Sequence, residues 1–202
     1  WCPEMGVPSE GDLELLVKIL KSHGYEWVFL PLDTISGVEN MSYEERIRIC
    51  TRPHTLKAGK QEIVAFIKVP YYFIDQQAGC NAACVIDKCN EVLTLTRGKK
   101  KPPIVVPASD GENGNVMMNQ FFPETFVPFF DSEHPSVTSL TLSEFLERFY
   151  PTKPTSTIRV KRGGSSWVGS HDMWMAGERR VKINKQIAEV SKTFHRVESL
   201  LP

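Results

Sequence analysis

Three closely spaced cysteines, Cys80, Cys84 and Cys89, are the residues of this 202-residue chain best suited to hold a metal ion. Thiolates are preferred ligands of zinc, and a histidine such as His54 would complete a tetrahedral set. Structural zinc sites usually carry two cysteine pairs, whereas the second pair is missing here. Free thiols are also common in protein cores. The pattern therefore leaves zinc binding and simple burial both open, and we predict no cofactor.

Nucleophilic catalysis would need a base beside one of these thiols. His171 precedes Asp172, and such a pair could orient a base, although nothing in the sequence brings it close to a cysteine. The chain has no phosphate-binding loop, no dinucleotide-binding glycine motif, no nucleophile elbow and no His-Glu-x-x-His motif. We therefore predict no catalytic residue and expect that the chain is not an enzyme.

A basic cluster formed by Arg97, Lys99, Lys100 and Lys101 lies around Gly98. It could bind a phosphate, an RNA backbone or an acidic peptide. No aromatic residue is interleaved for base stacking, which favours a solvent-exposed turn. Basic and acidic residues are equal in number, 24 of each, so the net charge selects neither nucleic acid nor acidic lipid. Nucleic acid is a partner that the sequence allows but does not favour.

The C-terminal part of the chain carries an apolar heptad-like pattern. Its apolar residues alternate in spacings of four and three, which predicts an amphipathic helix from about 178 to 200. We treat 178–202 as a separate unit that either packs on the rest of the chain or self-associates, because so short a repeat is marginal as a free coiled coil. The residues of this possible association surface are Ile183, Ile187, Val190, Phe194, Val197 and Leu201.

Residues 1–177 are predicted to form one β-rich globular domain with peripheral helices. Short β-branched and aromatic runs are separated by clusters of Gly, Pro, Asn and Asp, which is typical of strands and tight turns. We predict an α+β fold with a predominantly antiparallel β core that resembles a barrel or sandwich. The predicted strands and extended segments are 25–32, 62–69, 91–96, 104–107, 115–122, 125–130 and 155–161.

Three helices are predicted around this core besides the C-terminal one. Apolar residues at helical spacing predict an N-terminal helix over 9–24, which Ser9 or Asp12 can cap. Ser42 and Thr141 are each followed three residues later by a glutamate, which is the signature of a capping box. These boxes predict short helices from 42 to about 50 and near 142–150.

Composition bounds the compartment and the class of protein. Apolar residues make up 41% of the chain and charged residues 24%, which is usual for a globular protein. Five cysteines form a poor disulfide framework and favour a reducing compartment such as the cytoplasm. No apolar run approaches the roughly 20 residues that cross a bilayer, so no membrane span is predicted. The chain begins at Trp1, as we expect of a fragment or a processed product.

The central part of the chain has a strand, an aromatic-proline element, a capped helix, a proline and a final strand in that order. The residues of this order are Asn90-Glu91-Val92-Leu93, Gln120-Phe121-Phe122-Pro123, Phe130, Leu140 to Leu146, Pro151 or Pro154, and Ile158-Arg159-Val160. This order, which covers roughly a third of the chain, resembles the CABIT module of the Themis and GAREM signalling adaptors. The resemblance implies an adaptor that engages SH2-containing proteins in phosphotyrosine signalling.

Two functions remain open on this basis. We predict a non-catalytic protein-interaction module that acts as a CABIT-like adaptor in intracellular signalling. The alternative is a structural or assembly protein, of a viral or shell type, that self-associates through the helix at 178–202 and touches nucleic acid through the basic turn.

Overall fold

The computed structural model describes residues 6–70, 82–106, 134–166 and 171–200. Helices and strands alternate through the first half of this part of the chain, and helices dominate the second. The helices are α1 (Glu10–Ser22), α2 (Tyr43–Cys50), α3 (Ala82–Leu95), α4 (Leu142–Phe149), α5 (Asp172–Met175) and α6 (Glu178–Glu198); the strands are β1 (Trp27–Pro31), β2 (His54–Ala58), β3 (Gln61–Lys68) and β4 (Thr157–Ile158).

The strands form one four-stranded mixed sheet in the order β1-β3-β2-β4. Strand β3 is parallel to β1, with Leu30 beside Ile67, and antiparallel to β2. Strand β4 pairs with β2 in parallel, with Leu56 beside Ile158. The sheet is open, so the predicted antiparallel barrel or sandwich is wrong. Parallel neighbours need long crossover connections, and the chain between β1 and β3 contains α2 and β2.

One face of the sheet packs against α1 and α2. Alternate residues of a strand point to opposite faces, and those of β1 and β3 that point to this side are buried. Ile47 of α2 is fully buried here. The main side chains of this larger core are Val28, Leu30, Leu56, Ile63, Ala65 and Ile67 from the sheet and Leu13, Val17 and Leu20 from α1.

The other face of the sheet carries an aromatic cluster. Phe66 lies edge-on to Trp27, with 5.9 Å between the ring centroids, and 6.5 Å from Phe145 of α4. The indole N–H of Trp27 donates to Ser143 Oγ at 3.2 Å, which ties β1 to the first turn of α4. Both faces of the sheet are therefore covered, and β1 and β3 carry buried apolar residues on both sides, as strands of α/β proteins do.

The predicted helix starts are confirmed by their capping bonds. Ser9 accepts a hydrogen bond from the Asp12 backbone N–H at the start of α1. Ser42 and Glu45 form the reciprocal capping box of α2, and Thr141 and Glu144 form that of α4. These local patterns were readable because each involves side chains only three residues apart.

Two regions depart from the predicted elements. Residues 91–96, predicted as a strand, lie almost entirely in α3, where Ile86, Cys89, Val92 and Leu95 recur every three residues and lie on its more buried side. Strand β2 was not predicted at all. Residues 104–106, predicted as part of a strand over 104–107, form neither a helix nor a strand, while the strands predicted over 115–122 and 125–130 fall outside the described residues.

Within the described ranges, every helix is too short or too polar to cross a membrane.

Candidate functional site

The carboxyl ends of β1 and β3 lie at the same end of the sheet. Pro31 and Lys68 are the last paired residues of these strands, and β2 begins nearby because it runs antiparallel to β3. Backbone amides and side chains converge where parallel strands end, and ligands of α/β sheets commonly bind there. This sheet end is therefore the candidate functional site.

Asp33 and Cys50 lie at this sheet end. Asp33 belongs to a short 3-10 helix, Leu32–Thr34, directly after β1, and its side chain is exposed. Cys50 is the last residue of α2, and its thiol donates to the Lys68 carbonyl oxygen at 3.5 Å. Burial strongly raises the pKa of Cys50, and the Asp33 carboxylate raises it further. Both effects disfavour the reactive thiolate form of Cys50, and Asp33 carries the exposed carboxyl group at this sheet end.

The segment 104–106 is fastened to the same sheet end. The Val69 N–H donates to the Val106 carbonyl oxygen at 3.3 Å, just beyond the last residue of β3. The Ile104 N–H donates to the Thr51 carbonyl oxygen at 2.9 Å, just beyond α2. Val106 therefore lies at the same end of the sheet as the carboxyl ends of β1 and β3.

His54 is a structural residue at the start of β2. Its Nε2 lies 2.7 Å from the Ile49 carbonyl oxygen, so this nitrogen carries the proton and donates. Its Nδ1, 2.9 Å from Ser156 Oγ, then accepts from that hydroxyl. Burial lowers the pKa of His54 to about 4, against an opposing effect of the Ile49 bond. With both nitrogens engaged, His54 is not available as the fourth zinc ligand.

The cysteine cluster is only partly described. Cys89 is a half-buried free thiol on α3, and burial raises its pKa. Cys80 and the side chain of Cys84 lie outside the described part of the chain, as does any site they would complete. Among the side chains that are described, no three His, Cys, Asp or Glu residues converge as a metal site.

His171 is not brought to a cysteine in the described structure. Its Nε2 lies 3.2 Å from the Val7 carbonyl oxygen, and the residue itself forms the N-cap of α5. His171 thus helps to hold Val7 in place, and Val7 also forms a bridge with Ser165.

The predicted basic turn follows a helix instead of joining two strands. Arg97, Lys99, Lys100 and Lys101 are all exposed. The Lys101 ammonium lies 3.8 Å from the ring centroid of Tyr150, a cation–π contact that the sequence did not reveal because the two residues are 49 positions apart. Lys101 is therefore held against the end of α4, and the other three basic side chains project into solvent.

The predicted association helix is present as α6, with bounds Glu178–Glu198. Its apolar residues are strongly exposed, with Ile187 at 61%, Val190 at 69% and Phe194 at 61%. No residue of α6 is buried. Leu201, the last residue of the predicted seam, lies outside the described residues.

The sheet-end residues Asp33 and Cys50 were missed by motif searching. A signal was present for Asp33, because it is the first carboxylate after the apolar run that forms β1. No such signal marked Cys50 in the sequence, because its position beside Lys68 depends on how α2 packs against β3.

Comparisons with known proteins give a likeness in fold. No family model and no curated protein matches the chain. Among solved structures, the crystal structure of 4-alpha-glucanotransferase from Thermococcus litoralis is similar, with a TM-score of 0.52 and 20% sequence identity. The match covers 92% of this chain and 28% of that protein, so the chain spans less than a third of its length. At this identity the likeness shows the fold alone.

This likeness corrects the expectation that the chain is not an enzyme. That expectation was wrong, because it rested on the absence of short catalytic motifs, and the structure with the similar fold is an enzyme. Short motifs detect only chemistries whose residues are close in sequence, whereas many active sites gather single residues from separate strand ends.

Proposed function

We propose that the chain forms part of an enzyme that acts on α-linked glucans. The observation that carries this proposal is the match of nearly the whole chain, 92%, to part of a 4-alpha-glucanotransferase. The open mixed sheet with helices on both faces supports it, because such sheets offer a site at their carboxyl ends. Because the chain spans only 28% of that protein, the proposal concerns the substrate class and does not extend to the other domains of that enzyme.

The chemistry needs carboxylates at the sheet end. Cleavage or transfer of a glycosidic bond generally uses two of them, one as an acid and one as a nucleophile or base. Asp33 follows β1 directly and is exposed there. Asp33 is therefore the candidate for one of these two carboxylates.

The proposal is tested by incubating the chain with malto-oligosaccharides and following their chain lengths by chromatography. We expect shortened or redistributed products, and a loss of rate of about 100-fold or more in Asp33→Asn. Asp87→Asn is the matched control, because it removes an exposed carboxyl group that lies within a helix, α3, and does not follow a strand.

Binding is measured beside turnover. Malto-oligosaccharide at millimolar concentration should shift NMR signals of residues at the carboxyl end of the sheet, such as Asp33 and Lys68. Neither turnover nor binding under these conditions would contradict the proposal, since a glucan-binding sheet end should retain at least weak affinity for its substrate.

The adaptor function implied by the CABIT resemblance stays a prediction, as does a reducing compartment. Capture of a phosphotyrosine-signalling protein by the intact chain, lost on changing residues 140–146, would support the first. The prediction of a reducing compartment rests on the number of cysteines. In the described part of the chain, Cys50 and Cys89 are free thiols.

A further inference from the structure

The longest helix of the described chain, α6, presents an unpartnered apolar stripe. The exposed fractions along it are 43% at Ile183, 61% at Ile187, 69% at Val190, 61% at Phe194 and 53% at Val197. These side chains recur at alternating spacings of four and three, which places them along one side of the helix. Over 21 residues the helix is roughly 30 Å long, so the stripe runs for most of its length.

The charge pattern of α6 fits a second copy of the same helix. In heptad notation the apolar residues occupy positions a and d, and the charged residues between Lys182 and Arg196 all occupy the outer positions b, c and f. The positions that flank the stripe, e and g, hold uncharged residues over the same stretch. These are Asn184, Gln186, Ser191 and Thr193. Between Lys182 and Arg196 a second copy therefore meets no like-charge repulsion beside the stripe.

The distribution of charge along α6 sets the direction of pairing. Residues 178–186 contain four basic side chains and one acidic one, whereas residues 187–200 contain two of each. Parallel pairing would place the two basic ends together and would set Arg180, at an a position, against its own copy. Antiparallel pairing separates these ends and also opposes the helix dipoles favourably.

We propose that α6 pairs with α6 of a second copy of this chain in an antiparallel two-helix contact. Val190 then packs against the partner's Phe194, and Ile187 packs against the partner's Val197. Thr193 lies beside the partner's Thr193 near the two-fold axis. The two globular bodies extend from opposite ends of the helix pair.

Sedimentation equilibrium of the full chain over a wide concentration range tests the pairing. We expect a reversible dimer that Val190→Asp weakens at least tenfold. Ala188→Asp, the control, adds the same charge at an outer b position of α6 and should leave the dimer intact. A chain that stays monomeric at all concentrations, or equal weakening by both variants, would overturn the proposal.

Disulfide trapping tests the direction. Under mild oxidation Thr193→Cys should give a covalent dimer, and Ile183→Cys should give no more than the unmutated chain, whose native cysteines set the background. Efficient trapping of Ile183→Cys would instead show parallel pairing and overturn the antiparallel arrangement. Binding of the monomer to anionic vesicles, with loss in Val190→Asp, would assign the stripe to a lipid surface and overturn the proposal as well.

Discussion

Phe66 and Phe194 are the same residue type in two opposite surroundings. Phe66 on β3 is fully buried between Trp27 and α4, whereas Phe194 on α6 is 61% exposed. The sheet is covered on both faces by residues that are distant in sequence, while α6 is stabilised mainly by its own backbone hydrogen bonds. The sequence predicted an apolar strand over 62–69 and an amphipathic helix at the C-terminal end, but only the assembled chain shows which apolar face has a partner within the molecule.

The largest expected difference in the free energy of unfolding is between the variants that remove the Phe66 ring and the Phe194 ring. Phe66→Ala should lower the free energy of unfolding by about 3–5 kcal/mol, because it leaves a cavity among packed aromatic rings. Phe194→Ala should change it by less than about 0.5 kcal/mol, measured at a concentration at which the chain is monomeric. Urea unfolding followed by circular dichroism gives both values. Similar losses in the two variants would mean that α6 packs on the core.

The buried His54 and the exposed His195 provide a second comparison, through the dependence of the chain's stability on pH. Burial holds the pKa of His54 at about 4, below the ordinary value of 6.5, so the unfolded chain takes up this proton first as the pH falls. The contribution of His54 is present in full above pH 6.5 and is lost as the pH falls towards 4, by roughly 3 kcal/mol. His54→Gln should flatten the stability profile between these values.

His195→Gln is the control for that profile, because the His195 side chain is 70% exposed on α6. Its profile should follow that of the unmutated chain. A His54→Gln profile as steep as the original would show that other groups cause the loss of stability in acid.

Two threonines provide a smaller contrast. Thr141→Ala removes the cap of α4, where the hydroxyl accepts from the Glu144 N–H at 3.2 Å, and should cost about 1 kcal/mol. Thr193→Ala removes only a hydroxyl that donates to the Glu189 carbonyl oxygen within the exposed α6, and should leave stability unchanged or raise it slightly, because alanine has the higher helix propensity. Thermal melts of the two variants, recorded side by side, decide the order. A larger loss for Thr193→Ala would reverse it.

The basic turn should show the smallest effect. Changing Lys99 and Lys100 to Glu should leave the melting temperature unchanged, because both are exposed. Adding Lys101→Glu should cost about 0.5 kcal/mol, since it removes the cation–π contact with Tyr150. A large drop for the Lys99 and Lys100 pair would mean that the turn packs into the body of the protein.

Local patterns were predictable from the sequence, and long-range pairing was not. The capping boxes at Ser42 and Thr141 were read correctly, because each is complete within four residues. The strands over β1 and β3 were also predicted, but not that they pair in parallel, which depends on the connection between them. The error over 91–96 came from taking Val92, Leu93 and Leu95 as a strand pattern, whereas Ile86 and Cys89 extend the same apolar spacing into a helix.

The candidate site was less predictable than the fold. Asp33, Cys50 and Val106 come from three separate parts of the chain and meet only because β1, α2 and β3 pack together. The association helix was predictable in position and periodicity, since its stripe depends on one continuous segment. Its exposure was not predictable, because that depends on what the rest of the chain covers.

The outer strands of the sheet also bear on how the protein avoids aggregation. Within the described chain, β4 pairs over only two residues, and β1 ends at Pro31, which has no N–H to donate. Charged Lys57, Glu62 and Lys153 gather where β2 extends past β4. Short, proline-ended and charged borders are poor templates for an incoming strand from another molecule. These features of the sheet edges disfavour edge-to-edge association into fibrils, whereas the apolar stripe of the C-terminal helix remains exposed.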